Sequence, residues 1–120
     1  MSKHPHSGVR LIEETEGEGP VARKGDTVEF DSQGFLSRGD CIQQRDSSTT
    51  RIGERRIIAG IEYALVGMKA GGYRKVRISP HLAYRDVGVP NVIPANAVLI
   101  YELWMRRIQP QASPQSWSTA

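Results

Sequence analysis

One cysteine, Cys41, stands in a chain of 120 residues. A lone thiol rules out an internal disulfide and fits a reducing compartment, so a cytoplasmic protein is expected. No apolar run approaches the ~20 residues that cross a bilayer, so no membrane partner is expected. Met1 to His6 lacks the apolar stretch of a secretory signal. Concentrated charge is missing too. Sixteen Lys+Arg against 13 Asp+Glu leave a net charge of +3, and the basic residues are scattered. Nucleic acid is therefore not expected as the main partner, and Lys75 and Arg77 read as a solvated sheet face.

What is present points to a small β-rich domain. The 12 glycines and 7 prolines call for many turns, and 38% apolar residues suffice for one compact core. Residues 1–8 read as a flexible arm, 9–108 as the domain and 109–120 as a disordered tail with no periodicity. His4 and His6 flank Pro5 in the arm, too few convergent ligands for a metal site. No metal or cofactor is expected.

Strand signals recur along the chain. Val9 to Ile12 predicts a first strand, broken by Gly17, Gly19 and Pro20. Thr27 to Ser32 alternates, with Val28, Phe30 and Ser32 on one face. Gln33-Gly34 and Arg38-Gly39-Asp40 read as turns around a short Phe35-Leu36 strand. Another short strand is expected at Asp40 to Gln43, and Gln44 to Thr50 reads as a polar surface loop. Ile58, Ile61 and Leu65 form the apolar stripe of a short helix ending at Gly67, with Met68 as a core plug. Gly71-Gly72 turns into a strand from Tyr73 to Ile78. The last strand runs from Val98 to about Ile108, with Leu99, Tyr101, Leu103 and Met105 facing the core and Trp104 outward.

Between these last strands lies a segment entered by Tyr84 and containing Pro90 and Pro94. Proline has no backbone donor, so this segment is expected to stay out of the sheet and form a flap over an apolar cleft. Covalent chemistry at Cys41 is the weaker alternative; a packed or half-exposed thiol on a strand is the simpler reading.

The pattern resembles the FKBP family of peptidyl-prolyl cis-trans isomerases. The resemblance covers roughly Gly17 to Ile108. It rests on Gly17-Glu18-Gly19, Lys24-Gly25-Asp26-Thr27-Val28, Gly34 with Leu36, Ile52-Gly53, Ile57-Ile58-Ala59-Gly60, Gly67-Met68, Ile78-Ser79-Pro80, Leu82-Ala83-Tyr84 and Ile93-Pro94-Ala95-Asn96-Ala97, in that order and spacing. It implies an α+β fold, a curved antiparallel sheet wrapped around one short central helix. It also implies a small single-domain type, with no room between Tyr84 and Ile93 for an inserted chaperone domain. The implied activity is rotation of X–Pro bonds in peptides or unfolded protein segments.

By the same resemblance, Tyr84 and the backbone N–H of Ile58 are the catalytic donors. Ile57, Ile58 and Ile61 form the cleft floor, Val89, Val92 and Ile93 the flap side, Ile42 and Gln43 a further wall, and Tyr101 the closure from the last strand. The chain departs from the family's pattern at several of these positions. Ile61 stands where a tryptophan is usual, Ser32 replaces a tyrosine, Ile42-Gln43 replaces Phe-Asp, and Val89 replaces an aromatic or histidine. The segment Gln44 to Thr50 is short and lacks its usual aromatic. The implied pocket is shallower, less aromatic and differently polarised, with weakened affinity for macrolides and reduced or altered activity. A non-catalytic peptide- or protein-binding module on the same fold is the alternative.

Overall fold

A computed structural model describes residues 8–111. Seven strands and one helix follow in chain order: β1 (Val9–Thr15), β2 (Glu18–Val21), β3 (Thr27–Leu36), β4 (Cys41–Arg51), α1 (Ala59–Leu65), β5 (Lys69–Ala70), β6 (Tyr73–Ile78) and β7 (Leu99–Gln109). Five strands form one antiparallel sheet in the order β1-β6-β7-β3-β4, and β2 pairs with β5 apart from it. The fold is the expected α+β arrangement, with the helix packed on the sheet's apolar face.

Alternation explains that face. Along β3, Val28, Phe30, Ser32, Gly34 and Leu36 are buried, and along β7 Leu99, Tyr101, Leu103 and Met105 join them. From α1, Ile61, Ala64 and Leu65 complete the core, with Met68 just beyond. Gly60 lets the helix approach β6, because a Cβ there would collide with the Ile78 side chain.

Two buried charges fix the helix ends. Arg74 is 5% exposed, sits on the inner face of β6 and bonds Glu14 through Nε at 2.8 Å. Its Nη1 donates to the carbonyls of Ala64 at 2.9 Å and Val66 at 2.8 Å, satisfying acceptors at the helix C-terminus. Glu62 accepts the backbone N–H groups of Gly53 at 3.0 Å and Arg55 at 3.1 Å, which pins the segment entering the helix.

Several local expectations are corrected. Gln33-Gly34 is no turn: β3 runs unbroken to Leu36, and the chain reverses at 37–40, where Gly39 has φ +109°. Gly34 serves instead as a gap for Tyr101, since a Cβ there would lie 2.6 Å from Tyr101 Cζ. Gln44 to Thr50 is no surface loop but most of β4, paired with β3 on both sides of one bulge. Its Ser and Thr side chains are polar yet suit a strand, and threonine favours one. β1 extends to Thr15, with Ile12 extruded and 49% exposed where the register shifts. Glu18–Val21 is a strand despite Pro20, which is tolerated at an edge. Gly8 belongs to the fold, accepting from Ser79 N–H at 3.0 Å, and Gln111 N–H reaches Asp26 Oδ1 at 3.0 Å. The expected arm and tail otherwise lie outside the described residues, as do His4, His6 and Trp117.

The β3–β4 register carries a bulge that decides which side chains face inward. Phe30 pairs with Ser48, but Ser32 pairs with Arg45, so β4 holds one extra residue there. Ser47 takes a positive φ of 56° at that point. Asp31, on the outer face of β3, receives the Ser47 N–H at 2.7 Å. The same carboxylate pairs with Arg106, the extra residue where β7 slips against β3. These bonds, the Ser47 amide first and Arg106 second, hold the Asp31 carboxyl below the usual carboxylate range.

Two outcomes are expected in denaturation experiments. Asp31→Asn destabilises the protein at neutral pH by about 1 kcal/mol, a charge-assisted bond discounted for its solvent-facing side. Because the folded carboxyl is depressed, the wild-type advantage is full above about pH 4 and fades as pH falls through the folded value. An advantage that grows on acidification would contradict this. Thr50 Oγ1 is a buried hydroxyl with no partner among the described residues. Thr50→Val keeps the shape and is expected to stabilise by about 1 kcal/mol, whereas a loss of that size would show that the hydroxyl is paired.

Candidate active site

A cleft of about 390 Å³ opens between α1, the inner face of β3–β4 and Tyr84. Its walls follow from the register. Thr50, Ser48, Arg45 and Gln43 lie opposite Val28, Phe30, Ser32 and Gly34, the buried face of β3, and all four line the cleft. Unbroken alternation would have presented Asp46 and Gln44 instead. Those two lie on the other side of the sheet, in a groove with Asp31, Gln33, Trp104 and Arg106.

The floor is apolar. Phe30, Ile57, Ile58 and Ile61 line it, with Phe30 and Ile61 only 2% and 6% exposed. Ile58 is the cap residue of α1, extended at φ −60° and ψ 145°. Its carbonyl accepts from the Ile61 and Glu62 N–H groups at 3.1 and 3.3 Å. Its own N–H has no acceptor among the described residues. Tyr84 is half-buried at the cleft edge, just after a 3-10 turn at Pro80–Leu82. Its carbonyl accepts the Gly88 N–H at 2.9 Å, which ties the phenol-bearing residue to the flap.

Tyr101, expected to close the cleft, does not line it; it stands behind the wall and bonds Gln43, which does. The ring is 1% exposed and crosses over Gly34, and its oxygen lies 2.7 Å from the Gln43 amide. With Gln43 Nε2 turned toward that oxygen, Oε1 accepts from Arg45 Nε at 2.9 Å and Nη2 at 3.3 Å. Both ends of the Gln43 amide then meet complementary partners, so this is the amide orientation the chemistry selects. Burial first, and the Tyr84 phenol second, push the Tyr101 phenol up to about 12. It stays a neutral hydroxyl at physiological pH.

The residues expected in one cleft are divided between two places. Tyr84, Ile57, Ile58, Ile61 and Gln43 converge on the cleft. Val89, Val92 and Ile93 line a second groove of about 410 Å³ with Leu36 and Arg38. The reason is the flap's own hydrogen bonding. Val89 and Ile93 exchange bonds at 2.8 Å each way and form a small hairpin off the sheet. Ile93 is buried in the core, and Val92 is 46% exposed. Ile42 lies at a second slip of the β3–β4 register, half-buried against the core and off the cleft. Cys41 is exposed at the start of β4, with its Sγ 3.7 Å from the Gln43 carbonyl. Trp104 packs against Tyr73, ring centroids 5.4 Å apart.

Arg45, Ser48, Thr49, Thr50 and Arg56 were not foreseen as cleft residues. The alternate spacing of Ser48 and Thr50 was a legible strand signal. The bulge that turns Arg45 inward had none beyond Asp31, sixteen residues away from Ser47 in sequence.

Comparison with known proteins agrees with this architecture. The profile of the FKBP-type peptidyl-prolyl cis-trans isomerase family matches residues 19–105. FK506-binding protein 1A of Neurospora crassa is 37% identical over 103 residues, spanning 79% of this chain and 83% of that protein. FK506-binding protein 4 of Chaetomium thermophilum is 33% identical over 116 residues, 89% of this chain but 24% of that protein. The 46 kDa FK506-binding nuclear protein of Spodoptera frugiperda is 32% identical over 107 residues, 85% of this chain and 26% of its own length. The chain thus spans about a quarter of the longer relatives. A family profile over most of the fold and a similar protein matched over 83% of its length make this chain a member of the FKBP-type peptidyl-prolyl cis-trans isomerase family.

Proposed function

We propose that the cleft catalyses cis-trans isomerisation of X–Pro bonds in peptides or unfolded protein segments. The observation that supports this most is convergence. The Tyr84 phenol and the start of α1 at Ile58, with its available N–H, border one cleft floored by Phe30, Ile57 and Ile61.

The barrier to rotation is amide resonance, so lowering it requires no bond to be made or broken. A planar X–Pro amide is polar, and its twisted form has less charge separation. An apolar floor that excludes water therefore favours the twisted form. The proline ring would sit on the isoleucine floor. The Tyr84 hydroxyl and the Ile58 N–H would donate to substrate carbonyls as the bond turns. Each ~1.4 kcal/mol gained selectively in the twisted state is worth about tenfold in rate.

Ile61 gives the ring less rigid contact than an aromatic floor would, so turnover is expected to be modest. The relatives' names describe FK506 binders. Here the polar β4 wall offers such a ligand less apolar contact, and the proposal is weakened macrolide affinity. The exposed thiol of Cys41 suits a reducing compartment, and the proposed location is the cytoplasm.

An exchange-NMR assay on Pro-containing peptides tests the activity. A rate above the uncatalysed one at micromolar protein is expected, and Tyr84→Phe should lower kcat/KM by roughly tenfold, the worth of one substrate hydrogen bond. Cleft resonances that shift with peptide while the rate stays at background would replace the isomerase with a binding module.

A further inference from the structure

We propose that this cleft selects peptides carrying an anionic side chain, a carboxylate or a phosphate, next to the proline. The proposal rests on the reading that the cleft takes X–Pro segments, and it concerns which ones.

The charge inventory of the cleft is one-sided. Arg45 and Arg56 line it, and among the described residues no aspartate or glutamate does. The bulge at Ser47 is the cause of half of this. It turns Arg45 inward and leaves Asp46 on the opposite face beside Asp31 and Arg106. Arg45 bonds the neutral oxygen of Gln43, so its charge is not cancelled there. Arg56 is partly offset, with its Nε 3.0 Å from Glu54 Oε1, but its side chain is 74% exposed and retains unused donors. Ser32 and Ser48, on the inner face, also line the cleft.

A guanidinium presents a planar fork of N–H donors that matches a carboxylate or phosphate in geometry as well as charge. An anionic neighbour of the proline would find donors on the β4 side and at the entry to α1. A lysine or arginine there would be repelled, and that penalty adds to the discrimination. Both arginines are solvent-exposed, so the effect is one of specificity rather than tight binding.

The test uses two series of short peptides, with the varied residue immediately before or after the proline: glutamate, phosphoserine, leucine or lysine. Isomerisation is read by exchange NMR and binding by titration of cleft resonances. In at least one series, glutamate and phosphoserine are expected to exceed leucine by about fivefold at low salt, as two exposed charges allow, with lysine lowest. The order should collapse in ~1 M salt, where the screening length is about 3 Å. The double variant Arg45→Gln, Arg56→Gln should bring the glutamate-to-leucine ratio to about one, while Arg45→Lys keeps the order, as expected for a charge effect. A phosphoserine advantage well above glutamate assigns phosphate as the source, and equal values assign any oxyanion. If no peptide is turned over but binding keeps the order, the selectivity stands and the isomerase reading falls. If peptides are turned over and bound with no charge order in either series, the selectivity is overturned and the isomerase reading stands.

Discussion

One carboxylate sets the phase of this sheet. Asp31 takes the backbone N–H of Ser47 on one side and pairs with Arg106 on the other, so it holds the register slips of both strands that flank β3. In a strand, side chains alternate strictly, and one extra residue sends everything beyond it to the opposite face. The slip in β4 is therefore a choice of cleft wall. It presents Gln43 and Arg45 to the cleft and sends Gln44 and Asp46 to the far side.

The polar chemistry of the cleft follows from that choice and from one missing side chain. Gly34 leaves room for the Tyr101 ring to cross β3, and the phenol oxygen then reaches Gln43. Gln43 in turn faces Arg45. A buried tyrosine hydroxyl needs such a partner, and an amide can serve both neighbours without a charge of its own. The cleft keeps an apolar floor from α1 and Phe30 while its β4 wall is hydrogen-bonded and cationic. Helix and floor are held from outside the cleft, by Arg74 at the helix C-terminus and by Glu62 on the approach to its start.

Much of the architecture was readable in advance because it rests on period and punctuation. The alternation of Val28, Phe30 and Ser32, the stripe Ile58-Ile61-Leu65 and the inward set of β7 each report a single local rule. What escaped rests on contacts distant in sequence. Gly34 looked like a turn because its real reason, the Tyr101 ring, lies on another strand. Gln44 to Thr50 looked like a loop because its polar residues face grooves on either side of the sheet rather than a core. The flap residues Val89, Val92 and Ile93 were expected beside Tyr84, yet the hairpin's own bonds turn them to a neighbouring groove. Tyr84, Ile57, Ile58 and Ile61 were expected together and line one cleft.

The phase of β4 can be observed directly. Interstrand NOEs across β3–β4 in isotope-labelled protein report which residues face one another. Ser32 is expected to contact Arg45, with Asp46 near the Trp104 ring on the outer face. Contacts of Ser32 with Asp46 in place of Arg45 would contradict this phase, since the cleft would then be walled by the opposite charge.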